Sequence, residues 1–247
     1  MIRGKSLKFS LDRWPKKSPP LSEAQERARE GWMKYWHEVL PNRFGVIEQF
    51  NHGFPAQMHL KNSRNQKVRT LEVGAGLGEH VSWENLKNQE YYLFEYRKDW
   101  CDFLRQKYPH LNVVHGDIQK KTPFEDHFFD RIIAIHVLEH LPDLPRALDE
   151  VARILRPEGV LDIVLPCEGG WAYELARKLS SERMFKKKFK MEYRPIIKSE
   201  HVNTLPEILF ALREKGWQVE RSKYFPLKIP LWSFNLCLGG RLKRNKG

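Results

Sequence analysis

LEVGAGLGEH, Leu71–His80, carries an apolar strand into three glycines spaced G-x-G-x-G and then into a stretch that reads as a helix. Gly74, Gly76 and Gly78 can adopt backbone angles closed to residues with a Cβ. A ligand can therefore lie against the main chain around Ala75, and a helix that follows offers its unpaired N–H groups. The dinucleotide fingerprint places its third glycine three residues after the second, where this chain has Glu79. That spacing disfavours a nicotinamide cofactor. Glu72, inside the strand end, is an odd place for a carboxylate unless it fixes the loop or meets a cation.

The chain downstream repeats one pattern, a strand closing on an acid. YYLFEY, Tyr91–Tyr96, brings Glu95 and Tyr96 to a second strand's end about twenty residues after the glycines, where a carboxylate can accept both ribose hydroxyls. LNVVHGDI, Leu111–Ile118, closes on Asp117. FDRIIAIHVLEHL, Phe129–Leu141, gives a fourth strand and a polar turn. ALDEVARILRPEGVLDIVLP, Ala147–Pro166, reads as a helix stopped by Pro157 and Gly159, then a fifth strand.

From about Val68 to Pro166 these motifs resemble, in order and spacing, the class I S-adenosylmethionine-dependent methyltransferases, and more narrowly the type 11-like small-molecule group. The acidic-x-GxGxG form of Glu72–Gly78 is similar to their first motif. The resemblance implies a doubly wound, mostly parallel α/β sheet of seven strands, Rossmann-like, with an N-terminal helical cap and a helical lid after strand 5. It implies S-adenosylmethionine as cofactor, held by Glu72, Gly74, Ala75, Gly76, Gly78, Glu95, Tyr96, Asp117, Ile118 and His136. Asp117 would reach the adenine amino group, and Ile118 would pack on the ring.

Around that core the expected organisation is a basic flexible arm over 1–20, carrying Pro15, Pro19 and Pro20; a helical cap over 21–60; the cofactor-binding domain over 61–240; and a basic tail over 241–247. Ser22 with Gln25 three residues on forms a capping box. Ala28, Trp32, Tyr35, Trp36 and Val39 then recur at near-helical spacing until Pro41, which should end the helix. Arg43–Phe54 reads as a second helix and Lys61–Lys67 as a polar turn. The segment 167–204 is far longer than an ordinary connection, which marks a lid. In it Trp171, Leu175, Leu179, Met184 and Phe185 suggest one apolar face, with Lys186, Lys187, Lys188 and Lys190 opposite. Leu205–Trp217 reads as a further helix, Gln218–Pro226 as strand six and Ile229–Gly240 as strand seven, the last two an antiparallel pair closing the sheet beside strand five.

A chain of 247 residues with 41% hydrophobic content can bury a full core, which excludes disorder throughout. Cys101, Cys167 and Cys237 are widely spaced and odd in number, so no disulfide framework or zinc ribbon is suggested and a reducing compartment fits. The amino terminus has no apolar run suited to a signal peptide, and no stretch approaches a membrane span, so a cytoplasmic protein is expected. The net charge of +12 collects at the amino terminus, at Arg177–Lys198 and at Arg241–Lys246. Such a surface attracts polyanions: an anionic membrane, RNA, or a phosphorylated small substrate.

Methyl transfer from a sulfonium is an in-line displacement that asks a protein chiefly for alignment and exclusion of water. If the acceptor is a hydroxyl, a base helps. His140, in the turn after the fourth strand, is the candidate catalytic residue, and Glu139, Trp171 and His201 are candidate acceptor contacts. His136, Glu139, His140 and the later His201 offer few hard oxygen donors, which makes magnesium less suitable and would favour a softer ion; the expectation is no metal. The expected activity is methylation of a small, sugar-linked or lipid-linked acceptor. The alternatives are an RNA methyltransferase, favoured by charge but without a recognisable RNA module, and a non-catalytic cofactor-binding protein, disfavoured by the intact Glu72, Glu95 and Asp117. The oligomeric state is not legible in the sequence.

Overall fold

A computed structural model describes residues 9–43, 45–60 and 67–245. Its centre is a seven-stranded sheet in the order β3-β2-β1-β4-β5-β7-β6. The strands are β1 Val68–Val73, β2 Gln89–Glu95, β3 Asn112–His115, β4 Phe129–Ile135, β5 Leu155–Pro166, β6 Trp217–Phe225 and β7 Cys237–Arg244. The first five run parallel, and β7 lies antiparallel between β5 and β6. From β1 the chain moves outward to β3 and then returns to β4. The carboxyl ends of β1 and β4 therefore border the crevice where ligands bind in open α/β sheets. This is the doubly wound architecture expected from the sequence.

The helices are α1 Glu23–Arg43, α2 Gly45–Ala56, α3 Lys98–Lys107, α4 Leu144–Ile154, α5 Trp171–Arg177, α6 Arg183–Phe189, α7 Tyr193–Glu200 and α8 Leu205–Glu214. One sheet face is dry: Leu71, Val73, Ile132 and Ile163 pack with Leu148 of α4 and Ile208 of α8. The opposite face carries a chain of buried charge. The Arg131 guanidinium, with no exposed surface, donates to Asp162 Oδ2 at 2.7 Å, Glu84 Oε1 at 2.9 Å and the Pro55 carbonyl at 2.5 Å. Asp162 also accepts from Arg241 Nε and Nη2, both at 2.7 Å. Helix α2 covers this face, with Phe50 and Phe54 against Val164 and Cys237.

No α-helix follows the glycines, contrary to the sequence reading. The connection holds only short 3-10 turns, His80–Trp83 and Leu86–Asn88. Here His80 and Glu84 turn inward, 3.1 Å apart, and Glu84 continues to Arg131, so the segment is pinned close to the sheet. Helix α4 ends at Ile154, before Pro157 and Gly159, which lie inside β5 where the register with β4 shifts. Proline, lacking an N–H, is accommodated at such an irregularity. The seventh strand begins later than expected. Trp232–Phe234 is a 3-10 turn, and β7 runs to Arg244, so most of the segment assigned as a basic tail is strand.

The segment assigned as a flexible arm is docked wherever it is described. Trp14 Nε1 donates to Asn203 Oδ1 at 2.8 Å, Lys16 N to the Pro142 carbonyl at 2.8 Å, and Ser18 Oγ to the Ser199 carbonyl at 3.1 Å. Arg3, Lys5 and Lys8 lie outside the described residues, as do Lys61–Gln66 of the polar turn, Lys246, and the side chains of Trp36 and Val39. The Ser22–Gln25 capping box is present, with bonds of 2.8 and 3.3 Å. Helix α1 nevertheless continues past Pro41 to Arg43.

Trp32 of α1 packs edge-on against Phe185 and Tyr193 of the lid, with ring centres 5.4 and 5.8 Å away. The segment 167–204 is helical, as expected, but the five apolar residues named in it do not share a face. Phe185 is fully buried, whereas Trp171, Leu175 and Leu179 are 65%, 42% and 67% exposed. Of its lysines, Lys186 pairs with Glu182 and Glu192 and Lys188 sits 4.4 Å over the Tyr35 ring, while Lys187 and Lys190 are exposed.

Candidate functional site

The glycine loop leaves β1 at the crevice with φ of +67° at Gly74, +56° at Gly76 and +76° at Gly78, a conformation side chains rarely adopt. A Cβ on Gly74 would sit 2.6 Å from Val137, and one on Gly78 would sit 2.5 Å from Tyr108. These two glycines therefore allow the loop to nestle against the β4 turn and α3. The loop is fastened to β2 by Glu95, whose Oε2 accepts from Gly76 N at 3.0 Å and whose Oε1 accepts from Arg97 N at 2.8 Å. Burial raises the Glu95 carboxyl, against the pull of those amides. A carboxylate offers about four lone-pair positions, so acceptor capacity remains for two hydroxyls.

Glu72 lies beneath the loop. It is buried on the charged face and accepts from Tyr91 Oη at 2.9 Å, and its burial lifts its pKa to about 8. Asp117 follows β3, and its Oδ1 takes both Gln119 N and Gln119 Nε2 at 3.0 Å. Ile118 is part of the dry core beside Phe94. Ala75 is buried, while Tyr96, the residue after Glu95, is 70% exposed.

The turn after β4 holds the other candidates. His136 has φ +52°, and its Nδ1 lies 3.1 Å from Glu139 Oε1. His140 Nδ1 bonds the Glu200 carbonyl at 2.9 Å, and His201 Nδ1 bonds the Glu168 carboxylate. The two imidazoles meet edge to face, centres 4.8 Å apart. The structure thus joins His136, Glu139, His140 and His201, which lie on segments far apart in sequence. Trp171 is found elsewhere, at the exposed start of α5 beside Phe234.

Burial alone would raise the Glu139 carboxyl, but His136, His140 and His201 outweigh it and hold it at about 2. Burial and the neighbouring His201 lower His140. For His201, burial is outweighed by Glu168 and the imidazole is raised.

Asn203 is a site residue the sequence reading missed. Its amide donates to the carbonyls of Leu138 at 3.0 Å and Leu141 at 2.8 Å, while the Glu139 carbonyl accepts from Val202 N and Asn203 N. Glu168, just past β5, was missed too. The available signal was its acidic side chain directly after a buried strand, at the same sheet edge as the other acids.

Residues 71–163 match a family model described as a methyltransferase domain. A fatty-acid O-methyltransferase of Mycolicibacterium smegmatis is 29% identical over 157 residues, 62% of this chain and 49% of that protein. A sterol 24-C-methyltransferase of Gibberella zeae is 28% identical over 143 residues, 54% of this chain and 37% of that protein. The chain thus spans less than half the length of either relative. Among solved structures, a TehB-like SAM-dependent methyltransferase of Corynebacterium glutamicum superposes on 89% of this chain and 100% of that one, with a TM-score of 0.59 and 14% identity, a likeness of fold. The matched span begins on the glycine loop and ends within β5, enclosing the crevice formed by β1 to β4, and this part of the chain is a methyltransferase domain similar to those of the S-adenosylmethionine-dependent enzymes.

Proposed function

We propose that the protein transfers the methyl group of S-adenosylmethionine to a small, sugar-linked or lipid-linked acceptor, with a lipid-linked one favoured. The observation that carries the cofactor half of this reading is the Glu95 carboxylate fastened to Gly76 N at the mouth of the crevice. It presents acceptors for the ribose hydroxyls beside the glycine turn, with Asp117 near the adenine edge and Ile118 below. The sulfonium supplies the electrophile, so the residues of this chain have to align the acceptor and keep water out.

The lipid preference rests on α5 and the β6–β7 loop. Trp171, Leu175 and Leu179 recur every fourth residue and stay exposed, as do Leu231 and Phe234 nearby. Large exposed apolar groups gathered in this way mark a surface that meets another apolar phase. Lys178, Arg183 and Lys187 lie along the same stretch of chain, which suits an anionic interface. The relatives named for fatty acids and sterols point the same way. RNA is less well supported, because Lys186 and Lys188 already have partners within the chain.

Calorimetry tests the cofactor half. S-adenosylmethionine and S-adenosylhomocysteine should bind and NAD should not. Loss of a hydrogen-bonded partner costs roughly 1–3 kcal/mol, so Glu95→Ala should weaken binding about tenfold or more. Affinity untouched by that change would remove the ribose role of Glu95. Co-sedimentation with anionic vesicles, run beside an RNA pull-down, tests the acceptor half, and preferential retention on RNA would reverse it.

A further inference from the structure

Glu139, His140 and His201 come together in a way that hydrogen bonding within the chain does not complete. One ligand atom from each lies within 4.8 Å of the others. Glu139 is 1% exposed, and although its Oε1 faces His136, its Oε2 is buried with no hydrogen-bond partner. A buried carboxylate oxygen is costly to leave unpaired, so a group absent from the polypeptide would stabilise it.

The two histidines are oriented for the same purpose. The Glu200 carbonyl fixes Nδ1 of His140 as a donor, and the Glu168 carboxylate does the same for His201. In each ring this leaves Nε2 as the nitrogen with a lone pair. An imidazole held through one nitrogen by a carboxylate or carbonyl while the other faces a cation is the usual outer support of a metal ligand. The segments bearing these groups are also clamped before any ion arrives. Val202 N and Asn203 N donate to the Glu139 carbonyl at 2.9 and 3.1 Å, and Asn203 in turn is held by Trp14.

We propose that Glu139, His140 and His201 form a binding site for a divalent transition-metal ion, with Glu168 and the Glu200 carbonyl as its positioning groups. This replaces both the sequence-based expectation of no metal and the proton-acceptor role expected of His140. Bonds of about 2.0–2.2 Å make such a site at most about 4 Å across, so small ring rotations close the triad. Two imidazoles and one carboxylate favour zinc, iron, cobalt or manganese over magnesium, which prefers a shell of oxygens. Three protein ligands leave a position open for water or an oxygen-bearing molecule. The turn that carries Glu139 also carries Val137, which touches the first glycine of the cofactor loop, so the open position adjoins the crevice.

The test needs neither cofactor nor acceptor, so its failure is separable from failure of the methyl-transfer reading. The full chain is stripped with chelator, dialysed separately against Zn2+, Mn2+ and Mg2+, and analysed for metal. About one zinc or manganese per chain should be retained and magnesium should wash out, and Co2+ should give ligand-field absorption. His140→Ala and His201→Ala should lose the ion. Glu168→Gln should keep the fold and weaken affinity about tenfold or more. Exposed His110→Ala serves as the control and should change nothing. Thermal melts identify any variant that fails to fold, and for such a variant the cobalt spectrum of the intact chain decides. A wild-type chain that retains no transition ion, or an ion retained equally by folded His140→Ala and His201→Ala, overturns the proposal.

Discussion

The two faces of the central sheet solve the same burial problem with opposite chemistry. On one, Leu71, Ile132 and Ile163 meet α4 and α8, and nothing there needs a partner of particular geometry. On the other, Glu84, Arg131, Asp162 and Arg241 form a buried ionic chain where the expected helix after the glycines is missing. A dry face tolerates imprecise neighbours, because apolar contact is not directional. A charged face does not, since each buried charge requires its counterpart at hydrogen-bond distance. The ionic chain therefore does what a packed helix would do: it fixes the connection 79–88 and the end of α2 against β4, and through them the glycine loop above.

Breaking that chain should give the largest effect. Arg131→Ala leaves Glu84 with only His80 and Gln89 and Asp162 with Arg241 alone, and loss of one member of a buried pair costs about 3–5 kcal/mol. Chemical denaturation measures it. A change no larger than for a surface arginine would mean water enters this face. Ile132→Val, the adjacent residue on the dry face, should cost only about 1 kcal/mol. It provides the matched reference.

Glu72 sharpens the comparison through pH. Its folded pKa of about 8 lies above the usual carboxyl value, so between the two values the folded chain keeps a proton that the unfolded chain has lost. The contribution is fully present below the unfolded pKa and lost as pH rises through about 8, so this group makes the protein less stable at pH 8 than at pH 5. Each pKa unit is worth about 1.4 kcal/mol, so Glu72→Gln should recover on the order of 3 kcal/mol near pH 8 and little at pH 4.5. Melting curves across that range would show a flatter profile for the variant. A parallel profile would mean the carboxyl is charged in the fold.

A smaller effect is expected where the amino-terminal segment meets the turn after β4. Trp14→Phe removes the bond to Asn203 together with part of the ring's packing and leaves a buried amide oxygen short of a donor, costing roughly 1–3 kcal/mol for the lost bond. Faster hydrogen exchange in 138–141 and 199–203 should accompany it. The smallest effect on stability belongs to the lid surface: Leu179→Ser should alter folding by no more than about 0.5 kcal/mol. The same variant should reduce vesicle association. If it does not, the exposed strip is not the lipid contact.

The acid-ended strands and the glycine turn were legible because each is local: a strand, its stop and a special backbone angle lie within ten residues. Even the crossing back to β4 was readable from the order of these units. The ionic chain left a signal in the sequence, Arg131 ahead of the apolar run IIAI and Asp162 within the apolar run VLDIVLP. Their pairing depends on the register of β4 against β5, which places Arg131 opposite Val160 and Ile133 opposite Asp162. No single segment reveals that. The missing helix after the glycines follows from the same tertiary demand, since His80 and Glu84 are drawn inward. The arm, with its prolines and lysines, reads as flexible in sequence, while the contacts that anchor its described part, through Trp14, Lys16 and Ser18, reach residues more than a hundred positions away.

The bond between Trp14 and Asn203 joins residues 189 positions apart, and Asn203 in turn holds the turn at Leu138 and Leu141. Contacts of such separation close late, because the loop entropy they demand must first be offset by nearer pairings. The cofactor side of the crevice is built from neighbours in sequence and can form early. The side bearing Glu139, His140 and His201 takes shape only when both distant segments have come home.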